Sequence, residues 1–353
     1  MEAMAERESG APLVIDGQGV AVLLPGVQIP PPAVAGRSYL ERLAAAGVSA
    51  LNVTLGIGGI AAGSDDLRAL LGTIGAHFCY FEMEAARLLH VTAVADLERA
   101  RREGKIGVIF GVQGLASKIE GDLSLLRILH KLGLRVAQLT GNERNALGCG
   151  CLETPDCGLS QLGRACVREM NMLGIAVDLA HAGGRTLEEA VEVSHAPVIV
   201  SHANPRGMCD NPRNVSDAGL KALASRGGVI GLTAFTPFYA WKGGRRPGLG
   251  DLVDHIAYAC DLVGSDHVGI GTDFFEAESP IRFEYFHRRR SPEVFGENRL
   301  ETAYLEGFDR VECFPRLIEV MQARGFREGE IRKVLGENFR RVFAEAWRGA
   351  APA

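Results

Sequence analysis

The sequence predicts an α/β protein built as a (β/α)8 TIM barrel, and three observations carry that prediction. Short apolar or β-branched runs recur eight times along the 353 residues, at positions 13–15, 49–55, 106–112, 134–140, 175–181, 197–202, 229–235 and 267–274. Helical patterns lie between them, several with apolar residues at i, i+3, i+4 and i+7 and a glycine at the exit. The runs are almost continuously apolar rather than alternating, as strands buried on both faces of a parallel sheet must be. Eight strand and helix units in a chain longer than about 250 residues fit a closed barrel. A doubly wound open sheet is the competitor, but no G-x-G-x-x-G follows the first run to favour it.

Taken in order, the first run precedes the helical stretch "SYLERLAAAG", and the second precedes a long helical pattern from Asp65 to about Leu89. The third, "IGVIFGV", leads to "LSLLRILHKLG"; the fourth, "LRVAQLT", leads through a glycine- and cysteine-rich loop to "LSQLGRACVREMNMLG". The fifth, "IAVDLAH", is followed by "TLEEAVEVSH", and the sixth, "PVIVSH", by "VSDAGLKALASRGG", for which Ser216 is the expected cap. The seventh, "VIGLTAF", leads to "DLVDHIAYACDLVG", and the eighth, "HVGIGTDF", to "RFEYFHRRRSPEVFGENRLETA", read as a long surface excursion or lid. Two closing helical segments, 305–324 and 328–347, are expected to pack on the barrel. With no repeat, low-complexity tract or linker visible, residues 1–353 read as one domain.

Composition narrows the function. A net charge of −5 and a pI near 6.0 leave no pull toward nucleic acid or anionic membrane. No apolar run approaches the roughly 20 residues of a membrane span, and the acidic start "MEAMAERESG" lacks the features of a secretory signal. The expectation is a cytoplasmic protein with reduced thiols. Cys149, Cys151 and Cys157 in "GCGCLETPDCG" do not match the paired C-x2-C spacing of structural zinc sites, so a packed irregular loop is the favoured reading.

Catalytic groups in such barrels sit at the C-terminal ends of the strands. Those ends carry Asp16 and Gln18, Gln113, Gly141 and Asn142, His181, His202 and Asp273. Two imidazoles and a carboxylate from different strands therefore converge on one mouth, a pattern suited to a mononuclear metal site with open positions. His77, His90, His130, His195, His255, His267 and His287 lie on helical stretches, strand starts or the excursion and read as surface or satisfied structural residues. Arg213, in "CDNPRNVSD", is placed to clamp a substrate carboxylate. Asp178, three residues before His181, reads as a partner holding an imidazole.

The run "GLSQLGRACVREMNMLGIAVDLAHAGGRTLEEAVEVSHAPVIVSHANPRGMCDNPRNVSDAGLKAL" resembles the signature of the renal, or membrane, dipeptidases, peptidase family M19 of the amidohydrolase superfamily. "DHVGIGTDF" is similar to the family's eighth strand and "RGFREGEIRKVLGENFRRVF" to its closing helices, so the likeness runs from about Val14 to Phe343. It implies an amidohydrolase-like barrel, a metallohydrolase acting on dipeptides, and a homodimer by analogy. It also implies roles. His181 and His202 become ligands of the second of two zinc ions, Arg213 the substrate-carboxylate arginine, and Asp273 the aspartate that handles the water and its proton, available too as a metal ligand.

The departures concern the other zinc. The family's His-x-Asp pair on the first strand is replaced by Gln18 and Val20, its bridging glutamate by Gln113, and its histidine after the fourth strand by Gly141. A neutral glutamine cannot offset two dications. The expectation is therefore one zinc ion on His181, His202 and Asp273, an empty first position, and a small amide substrate met by Arg213, Asn142, Gln113 and Gln18. The alternatives are a barrel repurposed for other chemistry on a small molecule and an inactive homologue that binds a small acid.

Overall fold

The computed structural model describes residues 11–19, 22–24, 29–56, 66–275 and 278–349. Among these residues nine strands form one parallel sheet: β1 (Ile15–Asp16), β2 (Ala50–Leu55), β3 (Leu88–Val91), β4 (Ile106–Val112), β5 (Leu134–Gln138), β6 (Ala176–Asp178), β7 (Ile199–Ala203), β8 (Val229–Leu232) and β9 (Val268–Ile270). Eight of them close a ring, because β2 pairs directly with β4 and β9 returns to β1. These eight coincide with the eight apolar runs, and the helices between them wrap the outside, so the barrel expected from sequence is the fold observed.

The ninth, β3, overturns the reading of a helix continuing to Leu89. The helix Leu67–Met83 stops earlier, and after a turn the chain runs as "LLHV" alongside the first half of β4, in register from Leu88↔Ile106 to Val91↔Ile109. From Phe110 onward β5 takes over that edge of β4. The ring thus has an extra strand at the N-terminal end of β4, where β5 has not yet begun.

Helix ends follow local chemistry. Ser38 and Glu41 form a reciprocal capping box ahead of Tyr39–Ala45. Ser160 caps Gln161–Leu173, which closes on Gly174 in the left-handed conformation, and Ser216 caps Asp217–Ser225 as expected. At the closed end of the barrel the last helix, Asn338–Ala346, presses Phe339 and Phe343 among Leu13, Ile15, Val136, Ala176 and Val229. A Cβ on Gly17 would sit 2.3 Å from the Phe339 ring, so the chain can pass there only without a side chain.

One expectation about the C-terminal third is narrowed and one is corrected. Of the two readings of the segment after β9, surface excursion or lid, the lid is nearer: three short helical turns, Pro280–Phe283, Glu284–Arg289 and Pro292–Phe295, form an arch that buries Phe283, Ser291, Val294 and Phe295. The helix Phe314–Ala323 starts at Phe314 rather than near Leu305, because residues before it are drawn onto the barrel rim by the bridges Phe235↔Tyr304 and Gly248↔Glu306.

Candidate active site

The C-terminal ends of the strands open into a cavity of about 400 Å³ that contains His181, His202, Arg213, Asp273, Gln113 and Asn142 in its wall. The backbone is bent to aim two of these groups. His181 (φ 67°) and Asp273 (φ 57°) both sit in the left-handed region, where a side chain is normally disfavoured. At Asp273 the bend is pinned: its N–H donates to the Gln18 carbonyl at 2.8 Å, and its own carbonyl accepts from the Tyr304 hydroxyl at 2.9 Å.

The β6 and β7 ends are tied together by Asp178. Its Oδ1 accepts the backbone N–H of Ala180 (3.0 Å) and of Ser201 (2.9 Å), and its Oδ2 accepts the Ser201 hydroxyl at 2.6 Å. That hydroxyl oxygen in turn accepts Nδ1–H of His202 at 2.7 Å. Asp178 therefore does orient an imidazole, but it is His202, reached through Ser201, rather than the nearer His181. Burial raises the Asp178 carboxyl from its ordinary value, and the hydrogen bonds from Ser201 and Ala180 work against that rise.

His181 is held from another element. Its Nδ1–H donates to Asn142 Oδ1 at 2.6 Å. With Nδ1 engaged on each ring, both Nε2 atoms present lone pairs to one another across 3.0 Å. Burial, and then the nearby Arg213 charge, push both imidazoles well below their ordinary range, so both are neutral at pH 7. Two neutral nitrogen donors facing one point fit a bound cation better than they fit each other.

Arg213 is 3% exposed and lies against the Phe238 ring at 5.5 Å. One of its Nη atoms donates to the His202 carbonyl at 2.9 Å, and its Nε is buried without a hydrogen-bond partner. Asp273 is pushed up to about 7, chiefly by burial, with Arg213 pulling it down and Asp16 and Glu278 pushing it up. Asp16 lies deeper, 1% exposed and raised to about 6 by burial, although Thr272 donates to it from both backbone (2.8 Å) and hydroxyl (2.5 Å).

Gln18 and Gln113 meet at Thr54, each donating an amide hydrogen to its hydroxyl oxygen, at 2.5 and 3.2 Å. Neither is anionic, and both turn donors toward the point they share, so this corner does not fit a dication; Val20 lies outside the described residues. Among the described residues no three His, Cys, Asp or Glu side chains stand close enough to hold one ion together. Asp273 shares the cavity with the two histidines but does not complete a three-donor cluster with them. The cysteine loop is the packed turn expected of it: Gly150 passes so close to Gly141 and Asn142 that a Cβ there would fall 2.2 Å from the Gly141 carbonyl oxygen. Cys151 donates weakly to Asn142 Oδ1 at 3.4 Å.

Sequence reasoning offered a lid without naming the residues that line it. His287, read as an uninvolved residue of the excursion, packs among Phe235, Phe283 and Phe295 with ring centroids 4.6–5.6 Å apart, and lines the cavity. Glu278 and Arg282 pair at 2.7 Å in the same wall, and Arg282 lies over the Phe275 ring at 4.2 Å. The aromatic and cationic density of "RFEYFHRRR" is the signal that marks this segment as a wall rather than a solvated loop.

The comparisons with known proteins agree with this geometry. Residues 33–284 match the sequence profile of the membrane dipeptidase family, peptidase family M19. An amidohydrolase of Pseudomonas aeruginosa superposes with a TM-score of 0.80 at 32% identity, covering 96% of this chain and 97% of that one. The dipeptidase tcpJ of Claviceps purpurea is 30% identical over 266 residues, which is 75% of this chain and 56% of that protein. An uncharacterized dipeptidase of Schizosaccharomyces pombe is 38% identical over 178 residues, 49% of this chain and 42% of its own length. The chain thus spans about half the length of the curated relatives it matches. An eight-stranded ring with histidines at the ends of two neighbouring strands, matched to one profile over most of its length, belongs to the membrane dipeptidase family of peptidases, M19.

Proposed function

We propose that this protein is a hydrolase of a small amide carrying a carboxylate, a dipeptide or a close analogue, and that it works with one zinc ion rather than two. The observation that carries the reading is the convergence of the Nε2 atoms of His181 and His202 across 3.0 Å beside a buried guanidinium, with each Nδ1 engaged by an oxygen. His181 and His202 would hold the ion, and its contribution would be a water of lowered pKa and polarisation of the substrate carbonyl. Arg213 supplies the anchor: a buried guanidinium whose Nε has no hydrogen-bond partner is matched by a substrate carboxylate. Asp273, poised near neutrality in the same wall, takes up and returns the proton. Gln113 presents a neutral carboxamide where the family carries a glutamate.

No helix among the described residues is long and apolar enough to cross a membrane. The reading places the protein in the cytoplasm, with no nucleic-acid partner and with a homodimer as the expected assembly. A second reading, a barrel repurposed for other chemistry or for holding a small acid, draws on the neutral Gln18, Thr54 and Gln113 cluster. Metal content per chain, measured by mass spectrometry on protein purified without chelators, separates the two. About one zinc, lost in His181→Ala and in His202→Ala, supports the hydrolase. Metal content unchanged in both variants, or none bound even after titration, sinks it.

A further inference from the structure

Asn142 was expected to touch substrate, and the structure gives it different neighbours. Its Oδ1 accepts Nδ1–H of His181 at 2.6 Å and the Cys151 thiol at 3.4 Å, while its Nδ2 donates to the Ser291 hydroxyl in the arch at 3.4 Å. The next residue repeats the connection: Glu143 receives Arg290 through both carboxylate oxygens, at 3.0 and 3.2 Å. Two consecutive residues after β5 therefore clasp two consecutive residues of the arch. The backbone around His181 is tied to the same loop, since Cys151 N–H donates to the His181 carbonyl at 2.8 Å and Leu152 N–H to the Asn142 carbonyl at 2.9 Å. His181 itself stands in the left-handed conformation, so its ring direction is imposed by neighbours rather than by local preference.

We propose that Asn142 is the positioning residue of this site, one carboxamide that fixes the tautomer and direction of the His181 ring and fastens the arch over the mouth. The inference rests on the reading that His181 works through Nε2. An acceptor at Nδ1 forces the proton onto that nitrogen and leaves the other lone pair for the cavity. The Nδ2 arm donates one hydrogen bond to the hydroxyl of Ser291, a residue 3% exposed that water does not replace. The arch and the aim of the imidazole are thus tied through one carboxamide.

Long-range ¹H–¹⁵N spectra of the full ¹⁵N-labelled chain report the His181 tautomer directly, with its signals identified by their loss in His181→Gln. Nδ1–H in the wild type, kept in Asn142→Asp and lost in Asn142→Leu, supports the proposal. An Nε2–H ring in the wild type would mean the carboxamide is turned the other way and overturns it, as does an unchanged ring in Asn142→Leu. Ser291→Ala and Arg290→Gln, which cut only the arch side, keep the tautomer and raise hydrogen exchange across residues 284–295; unaltered exchange in both removes the clasp. On any amide that the wild type hydrolyses, Asn142→Leu lowers kcat roughly 10- to 100-fold, with KM changed far less. Failure of all turnover would sink the hydrolase reading while the ring spectra still decide the role of Asn142.

Discussion

Ser201→Ala is the most informative single perturbation, because one hydroxyl serves two buried partners at once. In the wild type it donates to Asp178 Oδ2 at 2.6 Å and accepts from His202 Nδ1–H at 2.7 Å. Ser201, Asp178 and His202 are 0%, 2% and 1% exposed, so no solvent stands ready to replace it. The backbone bonds to Asp178 Oδ1 survive the substitution, which leaves Oδ2 and the imidazole N–H without partners. Each orphaned buried group costs about 1–3 kcal/mol, giving a loss of about 2–6 kcal/mol for the pair. The measurement is the midpoint shift in urea denaturation, with Ser225→Ala as control, since that hydroxyl reaches only the Ala222 carbonyl in an exposed setting. A loss below about 0.5 kcal/mol, or one no larger than the control's, would refute the chain from Asp178 to His202.

Three further outcomes are expected. Arg213→Gln weakens binding of a carboxylate ligand by about 10- to 100-fold, read by calorimetry, while binding of the matching neutral amide changes little. Burial holds His90 near 4, with Arg135 as a lesser cause. The unfolded chain, with an ordinary histidine near 6.5, binds more protons between those values, so stability falls as pH drops from about 6.5 to 4. Replacing His90 flattens that slope by up to about 1.4 kcal/mol per pH unit, measured by denaturation at stepped pH. Gly163→Ala would set a Cβ 1.9 Å from the Leu147 carbonyl oxygen, so the helix Gln161–Leu173 must shift, at a cost of about 1–3 kcal/mol in thermal or urea melts.

Much of the fold was legible because the eight ring strands are buried on both faces and so read as unbroken apolar runs. The one strand that was misread, Leu88–Val91, is four residues long, lacks a glycine or proline before it, and continues the apolar rhythm of the helix upstream. The positions of His181, His202 and Asp273 at one mouth followed from strand ends, and that of Arg213 from the loop after the sixth strand. Their partners did not. Asn142 lies 39 residues before His181, and the donor it offers the arch lies 149 residues from its recipient. The direction in which a side chain turns after a strand depends on backbone angles such as those at His181, which no local pattern announces.

The corner made by Gln18, Thr54 and Gln113 also sets what a single substitution there does. Gln113→Glu alone would replace the amide that donates to Thr54 at 3.2 Å by a carboxylate, setting a negative charge among neutral groups. A histidine at Gln18 alone would forfeit the 2.5 Å bond to Thr54 and gain no ion, since one imidazole does not make a site. The neutral corner therefore behaves as one unit: Thr54 spends its hydroxyl oxygen on both glutamines, so a change at either amide, or at the hydroxyl between them, is felt at all three positions.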